Sequence, residues 1–183
     1  MNPTIRQNLD DIHGPDKAAQ NRAYEAVIAA TDSSVEWAYD VWDEVVTDLR
    51  HKDNHVRAIA AQLLCNLAKS DPEVRITSDF PALLNVTRDE RFVTARHCLQ
   101  SLWKVGVAGP PQQKIWREGV VLRFTECRTE KNWSLIRYDI LQSMRNVYDV
   151  TPDDGIRTAA QELIDSETDD KYRKKYAKPW KDV

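Results

Sequence analysis

DNHVRAIAAQLL (residues 53–64) and DDGIRTAAQELI (residues 153–164) repeat one pattern of residues one hundred positions apart. Asp53, Arg57, Ala60 and Leu63 return as Asp153, Arg157, Ala160 and Leu163, while Val56 and Leu64 return as Ile156 and Ile164. The apolar positions fall at three- and four-residue steps, the spacing that puts side chains on one face of an α-helix. An Asp just ahead of each run supplies a carboxylate for the unpaired backbone donors of a first turn. Each copy therefore predicts a capped amphipathic helix.

Working outward, helical periodicity and turn residues alternate along the whole chain. Gly14-Pro15-Asp16 opens a helix reaching about Thr31. Ser33 and Glu36 form a capping-box pattern ahead of a second helix carrying Val41, Trp42, Val45 and Leu49. The polar turn 51–54 joins it to the helix of the first copy, which makes a helical hairpin. Asp71-Pro72 predicts another start, with proline at the first helical position, and Pro81 predicts an interruption. A partner helix spans about 91–107 and stops at Gly109-Pro110-Pro111. A third pair covers about 112–128 and 133–148, and Asp153 caps one more helix before KYRKKYAKPW at 171–180.

The pairs repeat as well. CLQSL at 98–102 reappears as ILQSM at 140–144, 42 positions later, and Ala60, Leu64 and Leu67 align with Cys98, Leu102 and Val105 at a shift of 38. A period near 40 built from two helices is the mark of an α-solenoid. Asp53-x-x-Val56-Arg57-x-x-Ala60-x-x-Leu63-Leu64 and its copy at 153–164 resemble the second helix of a HEAT repeat. The resemblance covers roughly residues 33–166. It is looser in the middle unit, where Arg96 lies one place out of register, and the last copy starts only 20 residues after Ile136-Arg137. It implies an all-α, right-handed α-α superhelix of HEAT/armadillo type. The whole chain, 1–183, then reads as one α-solenoid domain: N-terminal capping helices at 1–32, about three helical hairpin repeats at 33–150 and C-terminal capping helices at 151–183.

Composition narrows the function. Hydrophobic residues make up 42% and charged residues 30%, enough for a core, while only 5 glycines and few strand-like runs favour helices. A net charge of −3 argues against a surface that wraps nucleic acid, which is ordinarily basic. No secretory signal and no membrane-spanning run is expected. The scattered Cys65, Cys98 and Cys127 predict reduced thiols in a cytoplasmic protein.

No catalytic constellation emerges, so catalysis, a cofactor and a metal are all unexpected. His51 and His55 have the spacing of a metal pair, but a turn separates them. His97-Cys98 suggests an activated thiol, yet Cys98 holds a stripe position. Asp53, Arg57, Arg137, Asp153 and Arg157 read as a structural ladder, with Asp capping and Arg pairing at the seams between repeats. The 6 tryptophans read mostly as wedges between helices. In the HEAT resemblance, second helices line a concave face, and there the helical wheel places Gln62, His97, Gln100, Lys104, Tyr138, Gln142 and Arg145, with Ala58, Lys69 and Glu162 beside them. That row predicts a non-catalytic scaffold that holds a protein or peptide partner. The alternative is a nucleic-acid-binding HEAT-like protein, related in architecture to alkylpurine DNA glycosylases, acting through Trp103, Trp133 and the basic aromatic tail.

Overall fold

A computed structural model describes residues 2–183, and among them every regular element is a helix. Contacts divide the chain into two compact units, Met1–Cys98 and Leu99–Val183. No helix is long and apolar enough to cross a membrane among the described residues.

The first unit contains α1 (Pro3–Ile12), α2 (Lys17–Ala30), α3 (Ala38–Asp48), α4 (Asn54–Leu67), α5 (Ile76–Val86) and the start of α6 (Phe92–Ser101). The odd-numbered helices are tied side to side. Arg6 on α1 forks onto Glu44 on α3 (2.6 and 2.8 Å), and Trp42 Nε1 on α3 donates to Asp79 on α5 at 2.8 Å. The even-numbered helices form a second row. Tyr24 on α2 donates to Gln62 on α4 at 2.9 Å, and Thr94 Oγ1 on α6 donates to the Asn54 carbonyl at 3.1 Å.

α4 lies at the centre of this unit and packs against α2, α3 and α5. Asp53 Oδ1 accepts the His55 amide at 2.8 Å and starts the helix. Val56, Ile59, Leu63, Leu64 and Leu67 are buried as expected, each contributing roughly 1.5–3 kcal/mol on leaving water. Ala58, assigned to the outer face by the wheel, is buried too, because neighbours on three sides leave α4 little free surface. Buried Asn66 donates to Thr31 Oγ1 (2.9 Å), and Lys69 Nζ reaches the Thr31 and Asp32 carbonyls (3.0 and 2.8 Å). These bonds satisfy the C-terminal end of α2, so Lys69 is a capping group rather than a free groove residue.

Three expected boundaries differ. α3 begins at Ala38 without a side-chain cap, since the Val35 amide is taken by Ser70 Oγ (2.9 Å) instead of a Ser33 capping box. α5 starts five residues after Asp71, whose carboxylate accepts the Arg75 and Ile76 amides (2.9 and 2.8 Å) across a turn with Val74 at φ 57°. Pro81 forgoes one helical hydrogen bond, yet α5 runs through it because Phe80, Leu83 and Leu84 are all buried on that stretch.

The second unit is organised on α9 (Trp133–Val150), against which α7 (Trp103–Gly106), α8 (Pro110–Glu126), α10 (Asp154–Asp165) and α11 (Asp170–Tyr176) pack. A side chain at Gly106 would sit 2.7 Å from Val147 Cγ2 and 2.8 Å from Trp116 Cδ2, so glycine is what allows α7 to close on both helices. The terminal segment docks rather than dangles. Tyr176 and Trp180 are buried, Trp180 Nε1 donates to the Leu141 carbonyl (3.2 Å), and Arg145 Nη1 donates to the Pro179 carbonyl (2.5 Å).

Candidate functional site

The ladder residues do three different things. Asp53 and Asp153 both cap, Asp153 Oδ1 accepting the Ile156 amide at 3.0 Å. Arg57 forks onto Asp89 (2.6 and 3.0 Å) and also donates to the His51 carbonyl (2.7 Å), which joins the α3–α4 turn to the α5–α6 turn. Burial pushes the Asp89 carboxyl up, but Arg57 and the Arg91 amide more than reverse this and leave it below its ordinary value. Arg137 is buried, donates to Glu167 (2.9 Å) and to the Phe124 carbonyl (3.1 Å), and lies over the Phe124 ring. Arg157 departs from the expected seam: half exposed, it pairs with Asp154 one turn away on its own helix (2.9 Å).

The nucleophile candidate is closed. Cys98 is fully buried, its thiol donates to the Leu83 carbonyl (3.4 Å), and burial pushes its pKa well up, which disfavours the reactive thiolate. Its neighbour His97 is exposed, one helical step round. The His51–His55 pair is not a metal pair either, since His51 Nδ1 accepts the Asp53 amide (3.1 Å) across the intervening turn.

Of the aromatic groups nominated for base stacking, Trp133 and the rings of the tail are engaged in packing, and Trp103 is half-buried. Trp133 lies under the Arg128 guanidinium (3.9 Å) and against Tyr172 (4.7 Å), and Trp180 stands against Tyr148 (5.7 Å). Exposed Lys174 and Lys178 remain on the outside, and the Lys171 ammonium lies over the Tyr172 ring (5.7 Å). Several residues of the predicted row on α9 are likewise committed. Arg145 holds Asp149 and the Pro179 carbonyl, Gln142 donates to Asn146 (3.0 Å), and Tyr138 has the Lys175 ammonium over its ring (5.5 Å). Gln100 is exposed and Lys104 half-buried.

What the structure does bring together is a small pocket, about 100 Å3, where α2, α4 and the start of α6 meet. Ala58 and Ile59 form its floor, and Val93, an aliphatic side chain 67% exposed, forms its lip. Tyr24 and Gln62 make one wall. Gln62 spends its amide there, accepting from Tyr24 and donating to the Ala58 carbonyl (3.0 Å), so it shapes the wall rather than reads a ligand. Asn54 and Thr94 make the opposite wall, bonded to each other at 3.4 Å.

Two histidines complete the pocket. His55 Nε2 is shielded from solvent and meets no hydrogen-bond partner among the described residues, a debt of about 1–3 kcal/mol that a ligand group can discharge. Although His97 is exposed overall, partial desolvation against the pocket, then the charges of His55 and Arg96, lower its pKa and favour its neutral form. The helical wheel points to Ala58, Gln62 and His97 of this pocket but not to Tyr24, His55 or Val93. The sequence held a signal for Tyr24, which stands 38 residues before Gln62, the shift at which Ala60, Leu64 and Leu67 recur as Cys98, Leu102 and Val105. No protein-family model and no curated protein matches this chain.

Proposed function

We propose that the chain is a non-catalytic interaction module of HEAT-like helical hairpins, arranged as a right-handed superhelix in the cytoplasm. It holds an extended partner peptide across the α2–α4–α6 face, with one small aliphatic side chain seated in the pocket. The observation that carries this reading is the pocket's combination of an apolar floor and lip with a single unsatisfied nitrogen, His55 Nε2. Its 100 Å3 is well short of the about 300–1,000 Å3 usual for substrates and cofactors, but suits one side chain flanked by a peptide group. The hairpin-repeat reading is supported by lateral hydrogen bonds whose sequence separations cluster: 38 for Tyr24–Gln62, 37 for Trp42–Asp79 and 40 for Asn54–Thr94. Such a recurrence is what stacked two-helix units of about 40 residues produce.

The test places a photo-cross-linking residue at Val93 in the native host, with and without Ala58→Leu, which fills the pocket. The expected result is a discrete adduct that disappears in the filled variant while circular dichroism and melting hold. An identical adduct in both would remove the pocket from the function. A salt titration against duplex DNA separates the alternative reading, because phosphate contacts would appear as steeply salt-dependent affinity.

A further inference from the structure

On the opposite row of the first unit, His13 closes α1 and faces α3. Its Nδ1 lies 3.0 Å from the Leu9 carbonyl and its Nε2 lies 2.8 Å from Asp48 Oδ2. A carbonyl only accepts, so Nδ1 carries the hydrogen. The neutral ring then aims the Nε2 lone pair at a carboxylate oxygen, and two lone pairs at that distance repel. Something positive belongs between them: a second proton, or a cation. Glu44 decides what else is available. It sits one turn before Asp48 on α3, so both carboxylates share a face, and one ligand atom from each of His13, Glu44 and Asp48 lies within 4.8 Å of the others.

We propose that His13, Glu44 and Asp48 form a binding site for a divalent transition-metal ion of the zinc type, with water completing a four-coordinate shell. One imidazole and two carboxylates are a donor set that suits zinc better than the all-oxygen shells of magnesium or calcium. The surroundings match those of ligating side chains. A backbone carbonyl fixes the His13 ring through Nδ1, and Arg6 fixes Glu44 by a two-pronged bond of 2.6 and 2.8 Å.

Arg6 also opposes a cation electrostatically, but its guanidinium is paired with the Glu44 and Asp10 carboxylates, which offsets its charge. Bonds of about 2.1 Å in a tetrahedron keep ligand atoms roughly 3.4 Å apart. Nε2 and Oδ2 must therefore separate by about half an ångström, a small shift for a His13 side chain 32% exposed. His51 stands edge-on to the His13 ring at 5.7 Å and is not a ligand, because its Nδ1 already accepts the Asp53 amide and its other nitrogen carries the hydrogen.

The test is calorimetry of the full chain, stripped with chelator, against Zn2+ and separately Mg2+, with Co2+ absorption reporting geometry. We expect one Zn2+ per chain, no Mg2+ binding and a tetrahedral Co2+ spectrum. His13→Gln retains a donor toward Asp48 yet is a poor ligand, and Asp48→Asn removes the charge; each should weaken Zn2+ at least about tenfold. His97→Gln should leave binding unchanged. Absence of Zn2+ binding to the wild-type chain, or binding indifferent to both His13→Gln and Asp48→Asn, overturns the site and leaves the gap bridged by a proton alone.

Discussion

α4 and α10 share one cap-and-stripe pattern and live in different surroundings. Both are capped by an Asp, and both bury the shared positions Val56 or Ile156, Ala60 or Ala160, Leu63 or Leu163, and Leu64 or Ile164. Beyond those positions they part. α4 buries ten of its fourteen residues and α10 four of its twelve, because α4 is packed on several sides and α10 shows one flank to solvent. The shared letters thus encode a cap and a stripe, and nothing more. The pocket-forming positions of α4, His55, Ala58, Ile59 and Gln62, are the ones where α10 differs, with Gly155, Thr158, Ala159 and Glu162.

The sharpest way to break the comparison is to move a letter between the copies. Ala61 is fully buried, and its counterpart Gln161 is exposed and bonded to Asp165 (2.9 Å). Ala61→Gln should cost about 3 kcal/mol or more, combining overpacking with a buried amide, while Gln161→Ala should stay within about 0.5 kcal/mol in urea unfolding. Equal costs would mean the two environments are alike after all.

The arginines give the next largest contrast. Arg57→Ala strips Asp89, 6% exposed at its side chain, of a two-pronged partner and should cost about 2 kcal/mol. Arg157→Ala removes only an exposed pair one turn away and should cost at most about 0.5 kcal/mol. A double-mutant cycle should find coupling for Arg57 with Asp89 and almost none for Arg157 with Asp154.

The caps should restore equality. Asp53→Ala and Asp153→Ala should each lose about 1 kcal/mol, since each removes one carboxylate acceptor from a helix start. A clear inequality would show that tertiary packing has taken over a local role. The smallest effect concerns acid. The His55 amide is the main cause of the lowered Asp53 carboxyl, and Asp89 is lowered by Arg57 against its burial. Carboxyls depressed in the folded state add stability above their unfolded value, near 4, and lose it as pH falls toward the folded value. Melting temperature should therefore hold near neutrality and fall below about pH 4, and Asp89→Asn should flatten that acid limb.

Much of the first unit was legible because its evidence is local. Asp53 and Asp153 announce helix starts, the stripe of Val56, Ile59, Leu63 and Leu64 announces a buried face, and Gln62 and His97 fall on neighbouring helices by periodicity alone. The candidate pocket was only partly legible. His55 read only as the far member of a spurious His51–His55 pair at the start of a helix, although it is the second residue of α4 and lines the pocket. Glu44 and Asp48 share a face by their spacing, but His13 comes from another helix 35 residues away, so no short window contains the three.

The sequence by itself determined the helices, their caps and their apolar stripes, because a hydrogen-bonding side chain at a helix start and a 3.6-residue period act within one or two turns. Tertiary structure decided which carboxylate each arginine meets, that Gln62 is used up by Tyr24, that the tail's rings turn inward, and that His13 faces Asp48. Those outcomes depend on which element lies across the gap, and distances between elements are set by packing rather than by spacing along the chain.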